Sequence, residues 1–176
     1  IIILTHNLVF VGCLSKYAKE ILDNEEHTFI CLERANIDGK PYTGQIKYEF
    51  PNIETYKYYK SKVNSLVSNK ADLRENKNHI YDCFSYMRSA LELMVAEKVF
   101  NGTINRYEPD IKMTKFEDIN TDALKNSGCR ISALFSKVCR FIPAHSSSPQ
   151  ARIEPTIEIL NECYTEFKAL DAIFNR

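Results

Sequence analysis

The chain has 176 residues, 44% of them hydrophobic, with 23 Lys and Arg balanced by 23 Asp and Glu, so its formal charge is zero. That length carries one ordinary core or two small ones. The balance excludes the global basic field usual in nucleic-acid binders, although a net charge of zero does not exclude a basic face. No apolar run reaches the roughly 18 residues that a membrane span needs, so a soluble, cytoplasmic protein without a membrane partner is expected.

Six cysteines stand at positions 13, 31, 83, 129, 139 and 163. None forms a CxxC pair, which argues against zinc. Most lie in apolar stretches and read as reduced, buried thiols.

In chain order, Ile1–Thr5 is a short branched run that reads as a strand cut from a sheet. Asn7 can cap the helix expected over 8–22, where Val11, Leu14, Tyr17, Ala18, Ile21 and Leu22 recur at helical spacing. His27–Leu32 reads as a second strand, and strand–helix–strand predicts a parallel βαβ unit. Residues 36–51, punctuated by Gly39, Pro41, Gly44 and Pro51, read as a loop or loose hairpin. A domain boundary is placed near Phe50.

Beyond it, helices are expected over 52–67 and 79–100, with a polar connection over 70–78. Asn101–Gly102 supplies a left-handed exit from the longer helix. A long loop over 103–119 leads to a helix capped by Thr121 or Asp122 and stopped by Pro143. A last helix follows Pro149. The expected fold is a small α/β segment over 1–50 and an all-α bundle of about four helices over 51–176, mostly α in total.

Two constellations carry chemistry. The first is Thr5-His6-Asn7 after the N-terminal run. In open α/β sheets ligands bind at the carboxyl ends of strands, and a histidine there can donate to a phosphate oxygen. No phosphate loop is present, since Gly39 and Gly44 are followed by Gln45-Ile46 without a lysine. The second constellation is helical. Arg88 and Glu92 are four residues apart on one helix face, bordering an apolar stripe. Arg140 and His145 are separated by four residues around a helix end.

The Thr-His corner resembles the switch-histidine segment of ABC-type and SMC-like ATPases. Arg140-x4-His145 resembles the Arg-x(4–6)-His motif of HEPN ribonucleases. The whole order, with Arg88-x3-Glu92 ahead of a late histidine, resembles anticodon nucleases of the PrrC and RloC type. Phe141 stands where the HEPN motif usually has a polar residue, and Pro143 lies between the two key residues.

The resemblance implies a C-terminal piece of an ATPase-regulated endoribonuclease, with tRNA as a substrate class and phage defence as a setting. It implies ATP and Mg in the full-length protein, contacted through His6, with neither bound by this piece alone. It implies Arg88, Glu92, His145 and Arg140 as a metal-independent catalytic set, and assembly as a dimer or higher oligomer. The alternative it leaves open is a non-catalytic helical tail that docks a partner nuclease.

Overall fold

A computed structural model describes residues 2–5, 7–21, 27–37, 40–47, 55–105, 110–142 and 154–174. The described chain is mostly helical and divides into two compact units, Ile1–Ile53 with Tyr107–Pro109, and Glu54–Arg106 with Asp110–Arg176.

The first unit contains helix α1, Leu8–Ile21, and two strands, β1 (Cys31–Ile37) and β2 (Lys40–Lys47). The Asn7 side chain accepts from the Phe10 amide at 3.1 Å and so caps α1 as its position suggests. The parallel βαβ unit is not seen among the described residues. Residues 2–5 adopt neither helix nor strand, and the second strand begins at Cys31 rather than His27. β1 pairs antiparallel with β2, Leu32 opposite Ile46 and Ile37 opposite Lys40.

The sequence accounts for this outcome. Only Asp38-Gly39 separates the strands, and that dipeptide suits a two-residue hairpin. Such a local connection closes more readily than a crossover to a distant parallel partner. The ladder slips between Glu33 and Arg34, leaving Gly44 as the extra residue of a bulge. Its φ of +95° is a conformation that glycine adopts without strain.

The second unit holds every buried apolar residue described. Its elements are α2 (Tyr56–Ser68), α3 (Lys70–Glu75), α4 (Lys77–Met94), α5 (Thr121–Cys139) and α6 (Ile157–Phe174). The four longer helices pack in antiparallel succession. Tyr59 meets Tyr86 across α2 and α4, and Phe84 meets Phe141 across α4 and the end of α5. Arg130 pairs with Glu166 across α5 and α6. The Tyr164 hydroxyl donates to Asn64 across α6 and α2, which closes the ring. Phe84, Met87, Leu91, Met94, Val138, Leu160 and Phe167 fill the centre with almost no exposure.

Three local features differ from the sequence expectation. The polar connection over 70–78 contains α3, because Leu73 is buried and anchors it. The cap of α5 is Asn120, whose side chain accepts from the Ala123 amide at 2.9 Å, rather than Thr121 or Asp122. The long loop over 103–119 contains a 3-10 turn, Met113–Asp118. It is stitched down by the Thr103 hydroxyl, which donates to the Lys115 carbonyl at 2.8 Å. The left-handed exit expected at Asn101–Gly102 is present, with φ of 48° and 72°.

Between α4 and that exit, Val95–Val99 forms a π turn. The Phe100 amide reaches back five residues to the Val95 carbonyl at 2.9 Å. The Gly102 amide reaches back six residues to the Ala96 carbonyl at 2.9 Å, so the wide turn forms part of the helix's C-terminal cap.

Candidate functional site

Arg88 and Glu92 project from the last two turns of α4, just ahead of the π turn. Their spacing sets them one above the other, and the Arg88 guanidinium reaches the Glu92 carboxylate at 3.0 Å. Side-chain exposures of 27% and 25% place the pair between core and water. The Arg88 guanidinium lies 5.9 Å from the centre of the Phe135 ring on α5, in range of a cation–π contact. Cys139, one turn beyond Phe135, feels both charges. Burial pushes its thiol upward, with Arg88 opposing and Glu92 adding to the rise. The α4–α5 seam therefore holds a cation, a carboxylate, an aromatic ring and a thiol in one neighbourhood.

This seam has chemical potential of a definite kind. A guanidinium presents a flat fork of donors that fits a phosphate with two parallel bonds. Its carboxylate neighbour fixes the direction of that fork or takes a proton. A histidine at the same phosphate would complete an acid–base set.

Arg140, the residue that caps the C-terminus of α5, lies elsewhere. It is exposed and lines a pocket of about 420 Å³ with Ala133, Lys137, Phe141 and Ile159, between α5 and α6. It follows Cys139 directly, and so points about 100° away from it around the helix. The described side chains thus bring Arg88 and Glu92 together, and Arg140 faces α6 instead. His145 and His6 lie outside the described residues. Thr5, beside His6, accepts from the Asn7 amide at 3.0 Å through its hydroxyl. Among the described residues, no group of three His, Cys, Asp or Glu side chains is arranged to hold a metal ion. No described helix is long and apolar enough to cross a membrane.

A second polar cluster escapes a reading of the sequence. Asp171 on α6 is buried, and accepts from the Tyr56 hydroxyl at 2.6 Å and from the Lys60 ammonium at 2.8 Å. Burial and the adjoining carboxylates, Asp171 and then Glu97, hold the Tyr56 hydroxyl far above the ordinary tyrosine range. Glu97, from the π turn, accepts from the Tyr56 amide at 2.7 Å and so satisfies a free N–H at the start of α2. The available signal is positional. Asp171 stands four residues after Phe167 and eight after Cys163, so it occupies the buried stripe of α6.

This cluster is better suited to holding helices than to chemistry. A phenol held neutral at every physiological pH makes a poor base, and Asp171 is already engaged by two donors.

Comparison of the chain with protein-family models, curated proteins and solved structures finds no match.

Proposed function

We propose that the helical unit is the RNA-cleaving module of an ATPase-regulated endoribonuclease, with Arg88 and Glu92 at its centre. The observation that carries this reading is the 3.0 Å Arg88–Glu92 pair, poised at intermediate exposure beside a π turn. In this reading Arg88 binds the scissile phosphate and stabilises the phosphorane, while Glu92 orients it. His145 supplies proton transfer at the 2′-hydroxyl or the leaving oxygen, and Arg140 contributes at the rim. The products are a 2′,3′-cyclic phosphate and a free 5′-hydroxyl. His6 then belongs to the nucleotide-binding half of the intact protein, where ATP and Mg act. Pairing of two copies through the bundle, a cytoplasmic setting and a role in phage defence complete the proposal, with tRNA as the substrate class.

The test is cleavage of end-labelled tRNA in EDTA, with 2′,3′-cyclic phosphate as the product scored. Arg88→Ala and His145→Ala are each expected to lower the rate on the order of 10²–10⁴-fold while the protein stays folded. Cleavage unchanged in both variants would overturn the assignment.

One observation favours the docking alternative. Ile104, Ile111, Met113 and Phe116, in and around the 3-10 turn, are 44–67% exposed. Apolar side chains gathered at that level suit a protein partner. A partner nuclease retained by the wild-type chain, and lost with Met113→Asp and Phe116→Asp together, would support that reading over the catalytic one.

A further inference from the structure

We propose that the outward face of α2 is a stacking platform for single-stranded RNA, built on Tyr58 and flanked by Lys57 and Lys62. The choice of RNA over other polyanions rests on the ribonuclease reading above; the platform itself rests on the geometry of α2.

Helix α2 reads YKYYKSKVNSLVS and contains no acidic residue, in a chain whose charges balance as a whole. Its buried side is Tyr56, Val63 and Val67. The opposite side carries Lys57, Tyr58, Ser61, Lys62, Ser65 and Ser68, all exposed. At 100° per residue these six fall within an arc of about 140°, and they run about 16 Å along the axis. Lysines and hydroxyls alone therefore flank one aromatic ring on a continuous stripe. Lys60 is the exception among the lysines, since it turns inward to Asp171 at 2.8 Å. Lys57 and Lys62 form no ion pair among the described residues.

The aromatic ring is held ready. Tyr58 is 42% exposed, so a large part of it is available to a ligand. Its centre lies 5.3 Å from that of Tyr59, edge to face, and Tyr59 in turn lies 6.0 Å from Tyr86 on α4. This row of rings fixes the side chain from below. The Lys62 ammonium sits 5.4 Å from the centre of the Tyr58 ring. That ammonium lies over the ring; on binding it moves to the phosphate while the base takes its place on the Tyr58 face, the pairing of stack and cation that a nucleotide needs. A duplex hides its base faces, so the fit is to a single strand. Ser61 and Ser65 add hydroxyl donors along the same line.

The test measures binding apart from cleavage. A fluorescent single-stranded oligonucleotide with 2′-O-methyl groups cannot be cut through its 2′-oxygen, and anisotropy reports its affinity for the protein. Wild type is expected to bind with a steep salt dependence. Lys57→Gln and Lys62→Gln should each reduce the slope of log affinity on log salt by about 0.7, the release of one phosphate contact. Tyr58→Ala should weaken binding roughly 5- to 150-fold, the range for one lost stack. Tyr58→Phe should restore it.

Wild-type affinity in Tyr58→Ala, an unchanged slope in both lysine variants, or equal affinity for a duplex of the same sequence overturns the platform, as does absence of binding at low salt. Arg88→Ala separates the two readings. Normal binding of the methylated strand, together with no cleavage of natural RNA by either wild type or Arg88→Ala, would end the ribonuclease reading and leave the platform standing.

Discussion

Replacing Asp171 by alanine should destabilise the helical unit more than any other single polar change. The carboxylate accepts from the Tyr56 hydroxyl at 2.6 Å and from Lys60 at 2.8 Å, with 8% of its side chain exposed. Removing one partner of a buried pair costs about 3–5 kcal/mol, because the other charge stays behind. Lys60 keeps 27% exposure and can turn toward water, which brings the expectation to the lower end, about 3 kcal/mol. For a chain of this size each kcal/mol moves the melting temperature by about 2–4 °C, so the drop should be about 6–12 °C. Tyr56→Phe removes only the hydroxyl bond to a charged acceptor, about 1.5–3 kcal/mol.

The assay is thermal and urea unfolding of wild type, both single variants and the double variant. The double-mutant cycle should show a coupling of about 1–2 kcal/mol, since the two groups touch. A fall of under about 2 °C for Asp171→Ala, or strictly additive effects, would refute the reasoning. The pH dependence supplies a second check. Tyr56 is held above its ordinary value, so its contribution is complete below about pH 10, where the unfolded tyrosine is still protonated. The stability gap between wild type and Tyr56→Phe should therefore stay constant from pH 7 to 9 and narrow above about 10.

Burial pushes the Cys83 thiol up to about 12, so at pH 8 a disulfide reagent should modify exposed Cys129 and spare Cys83 until the protein unfolds. Phe84→Ala should cost about 3–5 kcal/mol, because the ring is fully buried and packs at a tilt against Phe141, ring centres 4.7 Å apart; calorimetry reads the loss directly. Ser127→Ala should raise the melting temperature slightly, by about 2–4 °C, since the buried Ser127 hydroxyl has no hydrogen-bond partner among the described residues.

The helices were legible because each needs only a local rhythm. Ile80, Phe84, Met87, Leu91 and Met94 recur every third or fourth residue, and all five are buried. The Arg88–Glu92 pair was legible for the same reason, since a four-residue spacing is enough to predict contact. Helix α3 was not, because one apolar residue, Leu73, gives no period to read. A loose hairpin is legible over 36–51 from its glycines and prolines, but its first strand reads as half of a parallel unit, since a short apolar run such as Phe29–Leu32 does not say which partner it takes. Asp171 was out of reach for a different reason. Its partners Tyr56 and Lys60 lie 115 and 111 residues away. Nothing local distinguishes it from an exposed aspartate except its place on the apolar stripe.

The π turn at Val95–Val99 closes the C-terminal end of the long helix, directly ahead of the left-handed exit at Asn101–Gly102. The Gly102 amide reaches back to the Ala96 carbonyl at 2.9 Å, so the turn is tied into the helix's C-terminal cap. Glu97 reaches the Tyr56 amide from within that turn, while the Arg88–Glu92 pair earlier on the helix lies against α5. One continuous helix thereby serves two neighbours, α2 through Glu97 and α5 through Arg88. Excising Ala96 would remove the carbonyl that the Gly102 amide meets and shift Glu97 relative to α2, so a deletion there should loosen both the helix end and the start of α2.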